Sequence, residues 1–431
     1  MELKLKKVVV RSLLDGDKTS FDDGVLKVNR REIVDMLMKD KRFSSAMVEL
    51  ALPGESTRIL PVKDVVEPRC KLEGPGEVFP GFIGDVETVG EGTTLALVGA
   101  AVVTCGKIVG FQEGIIDMSG PGAEYTPFSK TLNVVLVVEP VEGLEKHEYE
   151  SACRLAGLKT AHYLATAAKG ATGGEVETYC LPDLAKAMTF FPELPKVAYL
   201  YMLQSQGLLH DTYVYGVDAK RIIPTLIHPN EVMDGAIVSG NCVSACDKNN
   251  TYSHQNNPII HHMYKRHGKD LNFVGCVITN ENTTLADKKR SSSYAVKLAK
   301  MLGVEGVIIS EEGFGNPDTD LIMNCRKAEQ SGIKTVLVTD EYAGRDGASQ
   351  SLADACPEAD AVVTAANANE IIVLPRMEKI IGLPDTANVI QDRKPFTWGH
   401  VLANAPDPAG ERLSVADAGI RRGEYGVLTL L

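Results

Sequence analysis

Apolar and polar positions change rhythm along this chain. Up to about residue 140 the apolar runs are short and β-like. Val8-Val9-Val10, Met47-Val48-Glu49-Leu50-Ala51-Leu52 and Leu95-Ala96-Leu97-Val98 are continuous or alternating, and Gly, Asp and Pro bound them. One short helix is expected among them, over 30–39. The β-branched run Asn133-Val134-Val135-Leu136-Val137-Val138 closes this portion. Small and apolar residues at helical spacing then predict a helix over 148–168, before Gly170, and a second over 183–191. Lys196-Val197-Ala198-Tyr199-Leu200-Tyr201-Met202 reads as a strand, and 221–228 and 235–239 read as extended.

After residue 270 strand-like and helix-like runs alternate. The strands are 273–279, 304–310, 334–339, 361–364 and 371–374; the helices are 286–302, 320–330 and 348–355. Alternation at these lengths predicts a parallel, doubly wound sheet. The tail from Gln391 is polar and ends in a short apolar strand over 426–430. A chain of 431 residues exceeds one ordinary core. The expected class is therefore α/β. A β-rich N-terminal domain over 1–145 and a helical and β segment over 146–241 precede a mostly parallel, doubly wound domain over 242–431.

Each strand of that predicted sheet runs into a polar loop: Thr279-Asn280-Glu281-Asn282, Glu311-Glu312-Gly313, Asp340-Glu341-Tyr342-Ala343-Gly344-Arg345 and Ala365-Ala366-Asn367. Loops at the carboxyl ends of parallel strands share one rim, and ligands bind there. Glu281, Asn282, Glu311, Glu312, Asp340, Glu341 and Arg345 form a candidate substrate pocket, with Arg345 suited to a carboxylate. The plainer reading makes the same residues helix caps and turns. Gly313-Phe314-Gly315-Asn316-Pro317-Asp318 carries Asp where a dinucleotide loop needs its third Gly, and no phosphate-loop Lys follows, so no nucleotide cofactor is expected.

A net charge of −12 argues against nucleic acid or an anionic membrane as partner. The first residues, Met1-Glu2-Leu3-Lys4-Leu5-Lys6-Lys7-Val8, form no signal peptide. No run approaches the roughly 18 apolar residues that span a bilayer, so a cytoplasmic location is expected. Nine cysteines, without a framework of spacings, read mostly as free thiols, Cys276 as a core residue.

Asn241-Cys242 stands apart, within Ser239-Gly240-Asn241-Cys242-Val243-Ser244-Ala245-Cys246-Asp247-Lys248-Asn249-Asn250. A small-residue turn places a thiol directly after an asparagine carbonyl. Three readings compete for it. The first is an ordinary loop thiol. The second is a zinc site, since Cys242 with Cys246 and His262 with His267 have ligand-like spacings; His261, His262 and His267 also fall in an amphipathic helix expected over 258–267. The third is self-cleavage, in which the Cys242 thiolate attacks the Asn241 carbonyl, elimination breaks the chain, and hydrolysis leaves a pyruvoyl group. That chemistry needs a constrained turn and donors for an oxyanion.

Ser239-Gly240-Asn241-Cys242-Val243-Ser244 and the upstream Gln206-Gly207-Leu208-Leu209-His210-Asp211-Thr212-Tyr213-Val214-Tyr215-Gly216-Val217-Asp218 resemble the α/β proprotein of component B of glycine, sarcosine and betaine reductases. So do Gly110-Phe111-Gln112-Glu113-Gly114, 117–128, 313–323 and 339–353, and the likeness runs from about 25 to about 375. It implies cleavage before Cys242, with Asn241 as carbonyl donor, a pyruvoyl group made from Cys242, and pieces of 241 and 190 residues. It also implies an oligomer that works with a selenocysteine-containing subunit of component B, selenoprotein A and protein C in reductive C–N cleavage towards acetyl phosphate. A pyruvoyl carbonyl can condense with the amine of glycine or sarcosine; the quaternary nitrogen of betaine cannot condense. The rival functions are a pyruvoyl-dependent amino-acid decarboxylase and an uncleaved, zinc-stabilised ligand-binding protein.

Overall fold

The structure is a computed structural model that describes residues 1–108, 114–187, 189–206, 212–240, 249–312, 315–341, 353–367, 373–382, 396–397, 420–422 and 428–430. Its first part contains β1 (Glu2–Val9), α1 (Arg30–Leu37), β2 (Phe43–Ala51), β3 (Thr57–Val66), β4 (Arg69–Glu73), β5 (Gly92–Val98), β6 (Ala100–Cys105), β7 (Gly114–Asp117), β8 (Leu132–Pro140), α2 (Lys146–Thr166) and β9 (Glu175–Cys180). They build one sheet in the order β9-β1-β5-β4 and another in the order β7-β3-β6-β8-β2. The Asn29 side chain accepts from the backbone N–H groups of Arg31 and Glu32 and so starts α1 where the polar Asn interrupts a strand-like run. Ala152, Ala156 and Ala161 are small enough to let α2 lie against Val66, Val102 and Leu136. Burial pushes the neighbouring Cys70 and Cys153 thiols up to about 12, as befits cysteines that only pack.

The second part contains β10 (Lys196–Leu203), β11 (Thr225–Ile227), β12 (Ile237–Ser239), α3 (Thr251–Gln255), α4 (Pro258–Arg266), β13 (Asn272–Asn280), α5 (Leu285–Met301), β14 (Gly306–Ser310), α6 (Asn316–Gln330), β15 (Lys334–Glu341), β16 (Val362–Asn367) and β17 (Lys379–Gly382). One sheet has the order β11-β13-β10-β14-β15-β16. β13, β10, β14, β15 and β16 are parallel, and β11 lies antiparallel at the edge. From β10 the chain moves to β13 on one side and then to β14 on the other, so the strand order reverses at β10. Tyr199, Tyr201, Phe273, Cys276 and Ile278 face Ile259, Ile260 and Met263 of α4. Ala198, Leu200, Met202 and Val277 face Ala295 and Ala299 of α5 and Leu321 and Cys325 of α6. Both faces are covered, which is why these strands are continuously apolar.

β13 carries a bulge. Val197 pairs with Phe273 and Ala198 with Gly275, leaving Val274 as an extra residue. Gly275 has φ +134°, and a Cβ there would sit 3.0 Å from Leu184 Cδ2. The bulge puts Phe273 and Cys276, three positions apart, on one face.

Several boundaries differ from the pattern-based expectation. α6 begins at Asn316 rather than 320, because Pro317 fits a first helical turn that requires no N–H donor. The 183–191 helix contracts to Leu184–Ala187. Of 348–355, residues 353–355 are not helical and the rest lies outside the described residues. β17 leaves the second part and pairs in parallel with β3. The chain is a mixed α/β protein. Among the described residues no helix is long and apolar enough to cross a membrane.

Candidate functional site

The carboxyl ends of β10, β13 and β14 lie side by side, and the residues that follow them converge. Glu281, Glu311 and Glu312 are all buried there. The backbone N–H of Glu312 donates to Glu281 Oε1 at 2.7 Å. Glu311 accepts from the Thr339 hydroxyl of β15. Gln204, directly after β10, joins them when its amide nitrogen faces the pair: it then donates to the Glu281 carboxyl and, at 3.0 Å, to the Glu312 carbonyl. The Ser205 hydroxyl donates to the Glu281 carbonyl. Asn282 turns away from this group. Its backbone N–H donates to Asp320 Oδ2 at 3.2 Å, and Asp320 also receives Lys288. Burial pushes the Asp320 carboxyl up, against the pull of Lys288.

Asp340 and Glu341 end β15 at the same rim. Their side chains, together with Arg345, Asn241 and Cys242, lie outside the described residues. The residues flanking 241–248 are nevertheless well fixed. Upstream, Ser239 ends β12, and its backbone N–H donates to Thr251 Oγ1 at 3.0 Å. Thr251 in turn is held by Asp64 of β3. Its N–H donates to Asp64 Oδ1 at 2.8 Å and its hydroxyl to Asp64 Oδ2 at 2.6 Å. Downstream, the Asn249 backbone N–H donates to Glu312 Oε2 at 3.0 Å. One flank is thus tied to the first part of the molecule and the other to the acidic edge of the parallel sheet. The hydroxyls of Ser239 and Thr212 and the amide nitrogen of Asn249 are buried and have no hydrogen-bond partner among the described residues.

Behind this edge β10 carries a polar ladder. Tyr199 and Tyr201 stack with ring centroids 4.8 Å apart. Tyr199 Oη lies 2.6 Å from Ser310 Oγ, and Tyr201 Oη lies 2.6 Å from His254 Nδ1 on α3. Gln204, Ser205, Asn249, Thr251 and Asp64 are absent from the pocket expected on the sequence. Asp64 had a readable signal: it is an acid inside the apolar run Val62-Lys63-Asp64-Val65-Val66. His267 Nδ1 accepts from the Phe273 N–H at 3.1 Å and its ring packs edge-on to Phe191; Cys242 and Cys246, the other half of the zinc spacing, lie outside the described residues.

Buried carboxyl groups gather where the strand order of this α/β protein reverses, the edge at which open α/β sheets bind small ligands. A family model for glycine/sarcosine/betaine reductase component B subunits matches residues 1–393. The "Glycine reductase complex component B subunits alpha and beta" of Acetoanaerobium sticklandii is 62% identical, over 89% of this chain and 89% of that one. The "Sarcosine reductase complex component B subunit alpha" of Peptoclostridium acidaminophilum is 59% identical, over 89% of this chain and 90% of that one. The "Betaine reductase complex component B subunit alpha" of the same organism is 42% identical, over 89% and 88%. No solved structure matches. The chain belongs to the glycine/sarcosine/betaine reductase component B family and is an oxidoreductase subunit.

Proposed function

We propose that this chain is the substrate-handling proprotein of a glycine or sarcosine reductase, cut between Asn241 and Cys242 so that Cys242 becomes a pyruvoyl group. One observation carries the reading. The A. sticklandii relative, matched over 89% of its length, bears in its name two subunits, alpha and beta, for one chain. The geometry is compatible with a cut at this place. Residues on both sides of 241–248 are anchored, as a constrained turn requires, and Ser239, its strand partner Thr212 and Asn249 carry polar groups with no partner among the described residues.

The same three residues would hold the pyruvoyl group, which supplies a ketone carbonyl to a substrate amine. Glu281 and Glu312 position Asn249 and the residues that follow β14. Arg345 remains the proposed partner of the substrate carboxylate, with Asp340 and Glu341 at the same rim. The identities favour glycine or sarcosine over betaine, 62% and 59% against 42%, and so does amine chemistry, since a quaternary nitrogen cannot condense with a ketone. The proposed partners are the selenocysteine-bearing subunit of component B, selenoprotein A and protein C.

Denaturing intact-mass analysis of the purified protein tests the reading. The expected result is two pieces divided before Cys242, the second lacking a free amine, and a single uncut chain for Cys242→Ala. A wild-type chain that stays whole refutes the cut; cutting that persists in Cys242→Ala moves the nucleophile elsewhere. Amine release that needs the selenoprotein partner separates a reductase from a decarboxylase.

A further inference from the structure

The bond between Asn241 and Cys242 divides the six-stranded sheet in an interleaved way. β10 and β11 precede it, whereas β13, β14, β15 and β16 follow it. Across the sheet the order is β11, β13, β10, β14, β15, β16, so the first four strands alternate between the two sides of the cut. β10 pairs with β13 along its whole length and with β14 from Val197 to Tyr201. Both of its edges are occupied, and Ala198, Tyr199, Leu200, Tyr201, Met202 and Leu203 are fully buried.

Other links cross the cut as well. β17, from after it, pairs with β3, from before it. The Glu67 N–H donates to Gln255 Oε1 at 3.0 Å, and Gln255 Nε2 donates back to the Glu67 carbonyl at 3.2 Å. Arg69 Nη2 donates to Asn256 Oδ1 at 2.9 Å.

We infer that the two products stay interlocked, the N-terminal product supplying the central strand of the C-terminal product's sheet. The inference rests on the proposed cut. A piece beginning at residue 242 lacks β10. It would carry an open slot between β13 and β14, with two unpaired strand edges and two bare apolar faces. Scission is therefore an event of the folded chain, and separation of the products requires both to unfold.

The test uses processed protein made with ordinary and with heavy nitrogen. The two preparations are mixed under native conditions and native mass spectrometry reads hybrid pairs. The expected result is no hybrids over days, with the pieces parting only in denaturant. A second preparation, Cys242→Ala with a site-specific protease sequence inserted after Asn241, is cut by the protease and mixed in the same way. Hybrids that reach the proportion of random mixing within hours, in either preparation, overturn the interlock. A wild-type chain that never cuts itself, beside a protease-cut form that does not exchange, overturns the proposed cut and leaves the interlock standing.

Discussion

Thr251→Val isolates the clamp at the base of the segment that contains Cys242. Thr251 is fully buried, and its hydroxyl works twice: it donates to Asp64 Oδ2 at 2.6 Å and accepts from the Ser239 N–H at 3.0 Å. Valine keeps the shape, so no cavity opens. It removes a bond to a carboxyl group, about 2 kcal/mol, and leaves a buried N–H without a partner, ~1–3 kcal/mol. The expected loss is on the order of 3–5 kcal/mol. Thr251→Ser keeps both bonds and gives up one buried methyl, about 1 kcal/mol. Urea unfolding in the uncut Cys242→Ala background compares the two, and amide exchange at Ser239 reports the lost bond directly. Valine and serine variants that agree within about 0.5 kcal/mol, the usual scatter for neutral surface changes, with equal Ser239 exchange, refute the clamp.

Glu312→Gln keeps the shape beside Asn249 and turns the carboxyl group that its N–H faces at 3.0 Å into an amide. Turnover in the amine-release assay is expected to fall about tenfold or more, equivalent to ~1.4 kcal/mol, with the thermal midpoint little changed; unchanged turnover removes Glu312 from the site. Burial holds His228 and His261 down to about 4. Unfolded imidazoles protonate near about 6.5, so the unfolded state binds more protons between those values. Stability is full above that window and falls as pH drops through it, by up to ~1.4 kcal/mol per pH unit for each histidine. Urea midpoints from neutral to acid pH should show this slope reduced in His261→Gln; an identical slope in the variant refutes the assignment. The Cys242→Ala mass analysis and the isotope-mixing experiment complete the set.

The parallel sheet is legible because its strands are apolar runs closed by turn residues, and their carboxyl ends can be named from Asn280-Glu281 and Glu311-Glu312 alone. What the pattern cannot give is adjacency. The run 196–202 reads as a strand, yet nothing local says that it sits between β13 and β14, because a ladder is specified by burial on both faces after the chain has closed long loops. The same limit hides the clamp. Asp64 and Thr251 are 187 positions apart, and an acid in an apolar strand announces only that some partner must exist. Asn241 and Cys242 are proposed on chemistry and resemblance alone, since a reactive thiol leaves no periodic trace.

The bulge in β13 marks where this gene can lose a codon and where it cannot. Glu281 lies six positions beyond Gly275, about 20 Å along an extended strand, and the bulge takes up one extra residue without changing the faces of those between them. Loss of the Val274 codon would remove only the extra residue and leave Phe273, Gly275 and Cys276 opposite Val197, Ala198 and Tyr199, so Cys276, Val277 and Ile278 would keep their faces, whereas loss of a codon between Cys276 and Asn280 would turn the residues beyond it inside out. A frame-preserving deletion at Val274 should therefore be tolerated where one at Val277 is not, and the family's length should vary less beyond the bulge than at it.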